Sequence, residues 1–112
     1  MKVDDVIIKL SKGFNQVFDD YKGAYVFGIS SDRNVHDDED IEIAALFDIE
    51  DKHKREQIWP LIGKIETDMG VFIDLYPYTE ESFKNDEEIF NEVKSCGIFY
   101  DKFGKINLDK KP

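Results

Sequence analysis

Three acidic residues in this chain have the type and placement to hold a divalent cation. Asp40 and Glu42 stand two apart at the mouth of an apolar stretch, Ile41-Glu-Ile-Ala-Ala-Leu-Phe47, that reads as a β-strand. Side chains at i and i+2 of a strand project from one face, so the two carboxylates converge. Asp74 interrupts a second apolar run, Val71-Phe-Ile-Asp-Leu-Tyr76, where an unpaired charge is costly. If the two strands are neighbours, three carboxylates line one patch and repel each other until a cation occupies it. Hard oxygen ligands with room left for water and phosphate suit Mg²⁺. Metals gripped this way activate an attacking oxygen and neutralise a departing pyrophosphate. The spacing alone is a weak signal. With 25 acidic residues in 112, about five Asp/Glu pairs two apart arise by chance, most of them solvated surface. What raises this pair is its seat at the head of one apolar strand, with Asp74 inside another.

The elements that must position these acids follow from periodicity. Val3, Val6, Ile7, Leu10, Phe14, Val17, Phe18 and Tyr21 recur at three- and four-residue steps, predicting one amphipathic helix over about the first twenty residues. Ala24-Tyr-Val-Phe-Gly28 reads as a buried strand closed by glycine, and residues 29 to 39 as a polar loop leading to the acidic strand. Ile58, Leu61, Ile62, Ile65 and Met69 predict a helix that starts or kinks at Pro60 and stops at Gly70. The third strand is expected to end at Pro77. After it come a helical turn at Thr79-Glu-Glu-Ser-Phe83, a helix using Ile89, Phe90 and Val93, and a short edge strand at Ile98-Phe-Tyr100. About the last ten residues read as a loose tail. The expected class is α+β in a single domain over 1–112: a mixed β-sheet with helices packed on one face and the carboxylates on the open face.

Bulk properties exclude several functions. The formal charge is −10, from 25 acidic against 15 basic residues, which disfavours broad contact with nucleic acid or an anionic membrane. Cys96 is the single cysteine, so no internal disulfide forms, as suits a reducing compartment. No apolar run approaches the ~20 residues of a spanning helix, and the first residues lack the layout of a signal peptide. The expectation is a soluble cytoplasmic protein.

With these residues in view, the chain resembles the polymerase-beta-like nucleotidyltransferases. Tyr25-Val-Phe-Gly28, a polar loop, then Asp38-Glu-Asp40-Ile-Glu42-Ile is similar to their pattern of an apolar strand, Gly-Ser, about ten loop residues and Asp-x-Asp or Asp-x-Glu. The later Phe72-Ile-Asp74-Leu and the stretch Glu92-Val-Lys-Ser-Cys-Gly-Ile-Phe-Tyr100 fit the small stand-alone members. The resemblance implies Asp40 and Glu42 as the two-metal ligands, with Asp74 as the third carboxylate, which helps deprotonate the acceptor hydroxyl. It implies Gly28, Ser30 and Arg33 as the nucleotide-binding positions, Mg²⁺ as the cofactor and ATP as the substrate. Small members resemble the antitoxin half of bacterial toxin–antitoxin pairs, which bind a helical HEPN-type ribonuclease and transfer AMP onto its tyrosine. The sequence departs from the pattern in two places. Ile29 stands where a phosphate-gripping serine follows the glycine, with Ser30 one place later, and Asp32-Arg33 replaces the usual Arg-Gly.

Three functions are therefore carried forward. One is a magnesium-dependent transferase moving AMP from ATP to a protein hydroxyl, its partner a HEPN-type toxin. The second is a nucleotidyltransferase-fold module that lost the chemistry and occludes its partner. The third is an acidic adaptor, which requires the three carboxylates to lie far apart. Elsewhere, His36 and His53 read as exposed, Trp59 as core rather than interface anchor, and Tyr76 and Tyr78 as half-buried cover near a base-stacking position.

Overall fold

The computed structural model describes residues 1–29, 32–36 and 39–112. Helix α1 (Val3–Val17) buries Val3, Val6, Ile7, Leu10 and Phe14 as the apolar stripe predicts, but it ends before Phe18 and Tyr21, and Val17 is exposed. Asp4 and Asp5 occupy its first turn, where negative charge complements the helix dipole. Strand β1 (Tyr21–Phe27) begins three residues earlier than the apolar run suggests. Gly23 is a bulge at φ +123°, so close to Phe99 and the Tyr100 carbonyl that a Cβ would collide with both. The glycine that looked like punctuation lets the strand bend instead.

Strand β2 (Asp40–Phe47) leads to helix α2 (Lys52–Met69). The Asp51 carboxylate caps α2 by accepting the Lys54 N–H at 2.8 Å. The helix therefore starts eight residues ahead of Pro60 and runs through it. Pro60 is exposed, so the carbonyl one turn back that loses its partner can turn to water. Trp59 is also exposed, at 48%, contrary to the core placement expected for it. Its neighbour Ile58 takes the inward position with Ile62 and Ile65. Gly70 ends α2 in the left-handed conformation, as predicted.

Strand β3 (Phe72–Tyr78) continues through Pro77 rather than ending there. It is an edge strand, where a missing N–H leaves no neighbour unpaired. Helices α3 (Glu80–Asn85) and α4 (Glu87–Cys96) follow, then strands β4 (Ile98–Asp101) and β5 (Ile106–Asn107). The sheet order is β3-β2-β1-β4-β5. Strands β2 and β3 run parallel, joined by the α2 crossover, and the other pairs are antiparallel. Strand β4 is thus interior, and the residues expected to be loose supply β5. Lys110 further covers the Phe99 ring at 4.9 Å.

This is the expected mixed sheet of an α+β domain, with α1 and α2 packed on one face through Ala24, Val26, Ile41, Ile43, Ile73, Leu75 and Tyr100. The opposite face is not bare. Tyr25, Phe27, Ala44, Leu46 and Phe99 meet Phe83 of α3 and Val93 of α4 there. Among the described residues no helix is long and apolar enough to cross a membrane.

Candidate active site

Alternation along β2 and β3 decides where the acids point. Ile41, Ile43, Ile73 and Leu75 enter the α1/α2 core, so Asp40, Glu42 and Asp74 project from the other face. Glu42 is the register partner of Asp74 across the parallel pair, and Asp40 that of Phe72. The three carboxylates therefore gather on the α3/α4 face, where β2 and β3 begin.

Their electrostatics carry the mark of that crowding. Burial pushes the Asp74 carboxyl above its ordinary range, and the Asp40 charge, a hydrogen bond with the Asp40 side chain, and Glu66 push it further. Glu42 is raised by burial first, then by Glu92, Asp74 and Asp40. Like charges at such range disfavour ionisation of each other, and a cation relieves them. Among the described residues, no three Asp, Glu, His or Cys side chains stand in a ready metal-holding group. The acids converge in face and charge without closing into a coordination shell.

Gly28 follows β1 at φ +70°. A Cβ there would meet the Glu42 Oε2 atom, which can swing aside, so it is the positive φ of the turn that calls for glycine. Ile29, in the serine position, is partly buried against the α1/α2 core. Ser30, and Asp38 of the acidic motif, lie outside the described residues. Arg33 is directed away from the acids. Its Nε donates to Asp4 Oδ1 at 3.1 Å on the α1 side, and the buried Tyr100 hydroxyl donates to the same carboxylate oxygen. Asp40, Glu42, Asp74 and Gly28 thus share one region, while the arginine expected at phosphate is committed to another carboxylate.

Two residues at this end of the sheet were not singled out from sequence. These are Glu88 and Glu92 of α4: the Tyr76 phenol is raised by burial first, then by Asp74 and Glu42, and then by Glu92 and Glu88, and Glu92 also raises Glu42. Their four-residue spacing on one helix face was a visible signal, masked by the abundance of acids. Tyr76 itself is half-buried, its ring 6.1 Å from that of Phe27.

No protein-family model and no curated protein matches the chain. Solved structures do. The crystal structure of the toxin–antitoxin MntA–HepT aligns at 21% identity and a TM-score of 0.54, covering 82% of this chain and 66% of that one. A mutant of that complex carrying two aspartate-to-glutamate changes aligns at 24% and 0.60, covering 86% and 70%. A toxin–antitoxin structure with AMP-PNP aligns at 25% and 0.58, covering 85% and 69%. The chain spans about two thirds of the length of the solved chains it matches. In fold, the chain is nucleotidyltransferase-like: an α+β domain with a five-stranded mixed sheet and helices, like the solved toxin–antitoxin chains it matches. Within that class, its likeness is to the small, stand-alone, antitoxin-like form.

Proposed function

We propose that this chain is the antitoxin of a toxin–antitoxin pair and transfers AMP from ATP to a hydroxyl of a HEPN-type partner. The observation that carries this reading is the meeting of Asp40, Glu42 and Asp74 on one face, with Glu42 opposite Asp74 in register. Likeness to a toxin–antitoxin structure containing AMP-PNP supports it.

Asp40, Glu42 and Asp74 would hold Mg²⁺, and the chemistry it supplies when bound is neutralisation of charge on the triphosphate. The donor set is all carboxylate oxygen, which suits that ion. Asp74, across the strand pair from Glu42, accepts the proton of the attacking hydroxyl. The hydroxyl oxygen bonds to the α-phosphorus as the bond to the β-phosphate bridge breaks, and pyrophosphate leaves. Gly28 lacks a side chain, so the Glu42 carboxylate lies close over it and a triphosphate held there would approach the backbone beside that carboxylate.

Incubation of the protein with its HEPN-type partner, Mg²⁺ and ATP labelled at the α-phosphate tests this. Labelled AMP should appear on the partner, and Asp74→Asn should prevent it. A second reading, neutralisation by occlusion alone, is favoured by Ile29 packing into the core and by Arg33 being bound to Asp4. It predicts partner binding with no label transferred and no ATP binding at millimolar concentration.

A further inference from the structure

The segment that leads into the acidic strand is held by the first residues of the chain. Val3 N–H donates to the Arg33 carbonyl at 2.7 Å, and Val35 N–H donates to the Met1 carbonyl at 2.8 Å. Lys2 and Asn34 form an antiparallel bridge between these two bonds. Lys2 Nζ donates to the Asp32 carbonyl at 2.7 Å, and Asn34 N–H to the Asp32 side chain at 2.9 Å. Side chains fix the same junction from below. Asp4 accepts Arg33 Nε at 3.1 Å while also accepting the Tyr100 hydroxyl from β4. Arg33 holds φ +56°, a region that residues with a Cβ avoid, and among the described residues it is the only non-glycine there. Such a conformation persists where surrounding contacts impose it.

We propose that residues 1–4 clamp residues 32–35 and that Asp4 is the positioning residue, setting where the chain enters β2 and thereby where Asp40 and Glu42 stand. Arg33 serves in this clamp as a structural cation rather than as a phosphate ligand. The carboxylate of Asp4 joins three elements, α1, the β1–β2 connection and β4, with one pair of oxygens. It touches no reacting group, so its effect on nucleotide passes through backbone placement. That consequence rests on the nucleotide-binding reading above; the clamp itself does not.

Hydrogen exchange and Mg²⁺-ATP titration on wild type, Asp4→Asn and Arg33→Ala separate the two. In both variants the Val3 and Val35 amides should exchange about tenfold faster, the loss expected when charge-assisted hydrogen bonds go, while amides in the middle of α2 are unchanged. Mg²⁺-ATP affinity should weaken about tenfold in both. Unchanged exchange at Val3 and Val35 overturns the clamp. If Arg33→Ala weakens nucleotide binding while Asp4→Asn leaves it unchanged or tightens it, Arg33 is a phosphate ligand and the positioning role of Asp4 is overturned. If wild type binds no Mg²⁺-ATP, the proposed function fails, and exchange alone decides the clamp. A variant that unfolds is replaced by Tyr100→Phe, which removes one hydroxyl from the same carboxylate and should raise exchange at Val3 and Val35 to a smaller extent.

Discussion

Two sets of acids in this small domain have opposite fates. Asp4 and Asp20 are given cations. For Asp4, burial works to raise the carboxyl, but hydrogen bonds from Tyr100 and Arg33 and the charges of Arg33 and Lys2 outweigh it and hold it low. For Asp20, burial is likewise outweighed, by Lys54 and the Ile49 amide. Glu42 and Asp74 are raised, first by burial and then by neighbouring acids. Basic residues tie elements together at Asp4 and Asp20, whereas among the described residues no basic group contributes to the shifts of Glu42 and Asp74. Acids left in mutual repulsion destabilise the empty protein, which makes them candidates for a function rather than for structure.

The sharpest way to break the contrast is to remove one acid from each set. Asp74→Asn should reduce AMP transfer by about 10³-fold, the scale on which loss of one electrostatic contact to the reacting centre is felt. Label transfer in a timed assay checks it; a residual rate near wild type would place the chemistry elsewhere. On the structural side, Lys54→Ala should cost about 3 kcal/mol in a denaturant titration, since it strands Asp20 as a partly buried charge. It also removes the donor to the Ile49 carbonyl and the cation 4.6 Å from the Phe47 ring. Its label transfer should persist under folding conditions.

Acid titration of stability should split the sets by sign. Asp4 and Asp20 have lowered folded values, so their contribution is complete above the unfolded value of about 4 and is lost as pH falls through the folded value. Glu42 and Asp74 are raised. Their contribution is present below the unfolded value of about 4 and is lost as pH rises through the higher folded value. Melting curves from pH 3 to 7 should therefore show Asp20→Asn flattening the acid limb, and Asp74→Asn relieving a penalty present at neutral pH. The smallest effect expected is that relief: Asp74→Asn should raise stability by about 0.5 kcal/mol, or ~2–4 °C, because exposed charges are screened. A lower melting temperature would mean that Asp74 has a stabilising partner.

Much of this arrangement was legible in the residues. Period-2 alternation around Asp40, Glu42 and Asp74 gave their common face, and the helical stripe of α1 gave its buried side. What failed were single-residue stop signals. Pro77 lies on an edge strand and Pro60 on an exposed helix turn, and in both places tertiary position removes the penalty that local reasoning assigns to proline. Trp59 was misplaced because hydrophobicity ranks it with the core, while the inward phase of α2 belongs to Ile58. The partnership of Arg33 with Asp4 spans 29 positions, and no local pattern records a contact of that range. Glu88 and Glu92 were hidden by the same excess of acids that makes any one pair uninformative.

Calorimetric titration of Mn²⁺, with a non-hydrolysable ATP analogue present, into wild type and Asp74→Asn addresses the acids on that face most directly. Saturable binding by wild type that is lost in the variant is the predicted result. Equal binding by both proteins, or none by wild type, would contradict a cation and nucleotide site built from Asp40, Glu42 and Asp74.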